Sequence, residues 1–171
     1  MNSFFQAFNY INEVFYEPNH LTVKKVREEM QNSDYGAGVF QLNCTSVRFR
    51  VAKITPTKIG QFVAFWEKDA MNKNQAFSEE NAPDLLVITT FSQDQQSFGQ
   101  FVFPKEVLVK HKILRAIETK GKMAMRVYPS WDKPTSKQAI ATQKWQLPYF
   151  VVVKPLSNIN LQKLMRLYTN Q

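Results

Sequence analysis

Residues 45–66 read TSVRFRVAKITPTKIGQFVAFW, and the change of pattern inside this stretch decides the fold. Over Thr45 to Lys53 the apolar positions have period two: Val47, Phe49 and Val51 point one way, Ser46, Arg48 and Arg50 the other. That spacing predicts a half-buried strand with a basic outer face. After the turn Thr55-Pro56-Thr57-Lys58-Ile59-Gly60 the alternation disappears, and Gln61 to Trp66 is apolar on both faces, as are Leu85 to Ile88 and Phe101 to Phe103. A strand apolar on both sides needs a layer over each, so these three read as central strands of a covered sheet.

Helical patterns supply the layers. Ser3 is placed to cap a helix whose apolar stripe is Phe4, Phe5, Phe8, Ile11, Val14 and Phe15. Pro104 closes the third strand, and Lys105 to Leu114 reads as a helix with Val107, Leu108, Ile113 and Leu114 inward. Met123, Met125 and Val127 alternate with Ala124, Arg126 and Tyr128 as a further strand. Thr135 or Ser136 caps a helix running towards Leu147, and Asn160 starts a last one with Leu161, Leu164, Met165 and Leu167 inward. No repeat and no linker divides the sequence, so one domain over residues 1–171 is expected, of α/β (α+β) class: a mixed central β-sheet flanked by helices.

Composition supports a packed core and excludes several function classes. The chain holds 14 Phe, 6 Tyr and 3 Trp against 5 Gly, which is not the make-up of a disordered segment. The lone Cys44 rules out an intrachain disulfide, and it reads as a small buried hydrophobe. With only His20 and His111 beside it there is no set for a zinc site, and neither metal nor cofactor is expected. The first residues lack the layout of a signal peptide and no window is apolar enough to span a bilayer, so a cytoplasmic protein without membrane contact is expected.

The net charge of +8 is one-sided. Residues 1–80 carry nine basic and nine acidic side chains, whereas residues 81–171 carry thirteen and five, which accounts for the whole excess. The richest part is Lys105 to Lys144, with ten Lys or Arg against Glu106, Glu118 and Asp132. Such a field attracts polyanions. Within it Arg126, Tyr128, Trp131 and Lys133 interleave cations and aromatics around Pro129 and Pro134, a composition that can stack unpaired bases while meeting phosphates. On the following helix Lys137, Ala141 and Lys144 share a face, and Gln138, Gln143 and Gln146 add hydrogen-bonding capacity. Upstream, Arg48 and Arg50 lie two apart on one strand face and suit successive phosphates, or an exposed face paired with glutamates; Lys53 and Lys58 flank the polar turn. Trp66 and Trp145 read as core.

Three segments, Tyr35 to Trp66, Gly99 to Lys105 and Arg126 to Phe150, resemble the MepB family, especially in the strings VRFRVAKITPTKIGQFVAFW, GQFVFPK and RVYPSWDKPTSKQAIATQKWQLPYF. The resemblance implies a nuclease-like fold of the PD-(D/E)XK type and a role in nucleic-acid binding, in a bacterial family often encoded beside multidrug-efflux genes. A nuclease of that type needs an aspartate at the start of one strand and an acid two residues before a lysine on the next, projecting to one side to hold Mg²⁺. Here Pro83-Asp84 enters the strand Leu85 to Ile88, but the following strand offers Gln100-Phe101-Val102. An amide brings no charge and valine can neither activate water nor stabilise a phosphorane, so the motif is degenerate and no catalytic residue is assigned. Asp84 then reads as a strand-entry residue satisfying backbone donors.

The expected function is therefore non-catalytic nucleic-acid binding, favouring single-stranded DNA or RNA, through Arg48, Arg50, Lys53, Lys58, Lys105, Arg126, Tyr128, Trp131, Lys133, Lys137, Gln143 and Lys144. Two alternatives stay open. One is a Mg²⁺-dependent nuclease whose groups have moved, with Lys105 as the lysine and Glu13, Glu17 or Glu67 as the second acid. The other is a regulatory protein whose basic face docks an acidic partner.

Overall fold

The computed structural model describes residues 3–169. In chain order the elements are α1 (Phe4–Ile11), β1 (Val23–Glu28), β2 (Gly38–Leu42), β3 (Thr45–Val51), β4 (Lys53–Ile54), β5 (Gln61–Ala64), β6 (Trp66–Lys68), β7 (Asn74–Ala76) and β8 (Leu85–Phe91). They continue with β9 (Phe98–Pro104), α2 (Lys105–Lys110), β10 (Ala124–Val127), α3 (Lys137–Gln146), β11 (Phe150–Lys154) and α4 (Asn158–Thr169). A six-stranded sheet runs in the order β1-β2-β3-β8-β9-β11, with a three-stranded sheet β10-β5-β4 and a small β6-β7 hairpin beside it. Only the β3–β8 pairing in the large sheet is parallel, so the fold is the mixed α+β class expected.

The large sheet separates two cores. On one face α1 and α4 cover Val47, Phe49, Val51, Val87, Val102 and Val151. On the other, α2, α3 and the small sheet cover Leu86, Ile88, Phe101, Phe103 and Phe150. Each phenylalanine so enclosed contributes about 1.5–3 kcal/mol relative to exposure. Helix α1 begins at Ser3, whose side chain accepts the Gln6 N–H at 3.2 Å, and it buries Phe4, Ala7, Phe8 and Ile11. Phe4 presses on Gly38 of β2 so closely that any Cβ there would occupy the ring's place. The stripe is narrower than its spacing suggested, because Phe5 and Val14 are turned out to solvent.

Several expectations about position need correction. Gln61 to Trp66 does not enter the large sheet: β5 is the middle strand of the small one, and Trp66 is half-buried rather than core. Cys44 is exposed, in the tight turn between β2 and β3. The basic outer face of β3 does not exist, because β3 lies inside the sheet with a layer over both sides, and Arg50 is fully buried. Helix α2 is also shorter than Lys105 to Leu114, although Ile113 and Leu114 are buried as expected.

Candidate nucleic-acid interface

Arg48 and Arg50 are consumed by the protein itself. Arg50 donates from Nε to the Ala64 carbonyl at 3.1 Å and from Nη1 to Glu29 and the Phe49 carbonyl, both at 2.8 Å. Arg48 meets the same Glu29 oxygen at 3.3 Å and lays its guanidinium over the Phe77 ring, 3.5 Å from the centroid. Burial pushes the Glu29 carboxyl up, but the two arginine charges and their hydrogen bonds outweigh it and hold it below its ordinary value. Neither arginine is free to meet a phosphate in this arrangement.

The degenerate motif is also taken up structurally. Asp84 Oδ2 accepts from the Ser46 N–H at 2.9 Å and the Ser46 hydroxyl at 3.0 Å, which ties the starts of β3 and β8 together. Gln100 is fully buried; its Nε2 donates to Thr89 Oγ1 at 3.0 Å and its Oε1 accepts from the Tyr168 hydroxyl. Val102 is core. By register these positions do not meet in one site. Gln100 pairs with Thr89, five residues along β8 from Asp84, a separation of about 17 Å at the rise of a strand.

The remaining candidates converge around β10 and α3. Ser136 caps α3 by accepting the Ala139 N–H at 3.2 Å. Lys137, Ala141 and Lys144 form its exposed face, and Lys133 is exposed in the loop before it. On the inner side Gln143 Nε2 donates to the carbonyls of Tyr128, Pro129 and Asp132 at 3.4, 3.1 and 2.8 Å, closing the turn after β10. Gln143 is thus a brace, with its donors spent. Arg126 reaches across to the turn 55–60, donating from Nη2 to Thr55 Oγ1 at 2.7 Å and from Nη1 to the Gly60 carbonyl at 3.3 Å. Gly60 has φ +86°, and a side chain there would collide with the Tyr128 ring. This stapling holds exposed Lys58 beside Arg126.

Two adjoining grooves result. One, of about 430 Å³, lies between β10, α3 and the end of α2; the other, of about 380 Å³, runs on towards Lys58. They share Arg126, Tyr128, Ser136 and Ala139, and none of the residues lining either is acidic. At the far wall His111 stacks on Trp145 with ring centres 3.9 Å apart and planes 12° apart. Burial lowers the His111 pKa, helped by the charges of Lys110 and Lys122. Sequence reading missed His111 and Lys122 as groove residues and took Trp145 for core; it is half-buried, packs against the second core and also lines the groove.

The other candidates lie elsewhere. Lys53 sits over Tyr35, 5.0 Å from its ring centre. Lys105 is half-buried at the start of α2 and lines a separate cleft with Glu79, Glu80 and Arg115. Trp131 packs edge-on against Phe150, 5.6 Å between centres. Among the described residues no helix is long and apolar enough to cross a membrane.

No curated protein matches the sequence. The crystal structure of MepB is similar at 41% identity and a TM-score of 0.75, over 86% of this chain and 96% of that one. A bacterial homing endonuclease matches at 11% identity and a TM-score of 0.41, over 83% of this chain and 86% of its own. The family model described as MepB-like matches residues 29–152. With most of its length inside that match and a relative this similar, the chain belongs to the MepB-like family.

Proposed function

We propose that this protein binds nucleic acid, preferring single-stranded DNA or RNA, in the groove between β10 and α3, and that it does not cleave what it binds. The observation that carries the reading is the pairing of chemistry in that groove. Its lining has cations from Lys122 and Arg126 and no carboxylate, together with a stacked His111–Trp145 pair, and the adjoining groove adds Lys58, again without a carboxylate. Cations without acids attract a phosphate chain, and an aromatic wall offers bases a face on which every sequence can stack. The exposed lysines of α3 extend the positive surface beyond the rim. The absence of cleavage is supported by the fate of the motif positions, where Gln100 and Val102 are fully buried and Gln100 pairs with Thr89, five residues along β8 from Asp84.

The test is a salt-titrated binding series on single-stranded DNA, RNA and duplex with wild type and a Lys58→Glu/Lys122→Glu variant. Both lysines are exposed, so the fold should survive the change. Single strands should bind best, with log affinity falling linearly in log salt, and the variant should show a shallower slope and weaker binding. Undetectable or salt-independent binding overturns the reading. A second reading, Mg²⁺-dependent cleavage by relocated groups, is favoured by a cleft whose lining includes Lys105, Glu79 and Glu80. Cleavage by wild type that is lost in Glu80→Gln would establish it.

A further inference from the structure

We propose that a second groove, floored by Tyr35, Phe62 and Trp66, stacks the unpaired bases of a strand continuing out of the basic groove; this rests on the nucleic-acid reading above and extends it. The second groove has a volume of about 680 Å³. Ala124 lines both it and the basic groove, so the two meet at the start of β10. A chain lying along β10 from Arg126 therefore runs into the aromatic floor without leaving a concave surface.

The rings are held as a platform. Tyr35 and Phe62 meet edge to face, 5.9 Å between centres. Asn32 brackets the backbone of Trp66, accepting its N–H at 3.1 Å and donating to its carbonyl at 2.9 Å. These three aromatics stay half-buried, in a protein that buries most of its phenylalanines. Cations stand beside two of them: Lys53 Nζ lies 5.0 Å from the centre of Tyr35 and Lys68 Nζ 5.3 Å from that of Trp66. Both lysines flank the groove from outside its lining, in which Asp34 is the one charged side chain. Rings for bases with cations alongside for phosphates form the pattern of a single-strand site, and the charge excess favours a polyanion over an apolar peptide.

Oligothymidylates of roughly 4 to 16 nucleotides, the range of single-strand sites, separate the two grooves. Affinity of the wild type, measured by fluorescence anisotropy, should rise with length until both are filled. Trp66→Leu should leave the shortest oligomer unaffected and weaken the longest by about fivefold or more. Met30→Glu provides the same readout at a rim position that is 84% exposed and bears no packing, should Trp66→Leu fold poorly. A length dependence unchanged in Met30→Glu and in folded Trp66→Leu overturns the second groove and leaves the first standing. An equal loss at every length overturns it too, and failure of every oligomer to bind overturns both readings together.

Discussion

The carboxamide of Gln146 takes the place of a neighbouring strand for Tyr128: its Oε1 accepts the Tyr128 N–H at 2.9 Å. Its Nε2 donates to the Arg126 carbonyl, also at 2.9 Å, so one fully buried side chain satisfies two backbone groups on the open edge of β10. The same edge floors the basic groove.

Gln146→Leu keeps the volume and removes both partners. Leaving two backbone groups unpaired in a buried site costs about 1–3 kcal/mol each, so the variant should lose about 2–6 kcal/mol of unfolding free energy in a urea titration. Gln146→Glu should do worse at neutral pH than its shape implies, since a carboxylate can still accept from Tyr128 but cannot donate to Arg126. A loss below about 0.5 kcal/mol in both would mean that the edge finds other partners, water among them.

His111 gives the groove a pH dependence. Its pKa is depressed by burial and by Lys110 and Lys122, so it is neutral at pH 7 and becomes charged as pH falls through a value below its ordinary 6.5. A bound phosphate chain favours the charged form. Affinity for single strands should therefore increase on acidification below that ordinary value, and the increase should vanish in His111→Phe, which keeps a ring against Trp145. An identical pH profile in wild type and His111→Phe would remove His111 from the site.

Much of this arrangement was legible in the sequence, and the limits of that legibility are physical. Caps and apolar spacing located α1, α3 and α4, and the doubly apolar runs located β8 and β9, because those signals are local. Period two at Val47, Phe49 and Val51 was also correct about which face meets the first core. It could not say whether the other face meets water or a second layer; that depends on β3 lying between β2 and β8, and on Glu29 arriving from the segment after β1. The groove behaves likewise. Arg126, Tyr128 and Lys58 were visible as a basic and aromatic composition, whereas the stacking of His111 on Trp145 joins residues on separate elements.

The buried cluster around Glu29 should dominate acid sensitivity. Because the folded-state pKa of Glu29 lies below its ordinary value of 4.5, its contribution is present above that value and is lost as pH falls through the folded pKa. Glu29→Gln leaves Arg50 buried with an uncompensated charge, a change that costs about 3–5 kcal/mol in comparable buried pairs. The stability gap between wild type and variant should be widest near neutrality and should narrow below pH 4.5, where wild type itself protonates. A gap that stays constant from pH 7 to 3, measured by denaturant titration (~0.3 kcal/mol precision), would deny Glu29 that role.

Rebuilding the motif by sequence alone should fail for a geometric reason. Gln100→Glu with Val102→Lys writes an acid, one residue and a lysine onto β9, beside a chain that already has Pro83-Asp84. Both positions are fully enclosed under α1 and α4, and Gln100 already holds Thr89 and Tyr168. The new charges would be buried in the core, where a close pair offsets only part of the desolvation cost, and the variant should lose several kcal/mol or fail to fold. Asp84 would remain about 17 Å away by the register of β8, too far to share an ion whose ligands lie at about 2 Å. A folded double variant, with native-like near-ultraviolet circular dichroism, should show no Mg²⁺-dependent cleavage of single- or double-stranded DNA. Cleavage gained by these two substitutions, and lost again on adding Asp84→Asn, would mean that β8 and β9 can slip into a register that brings the three together.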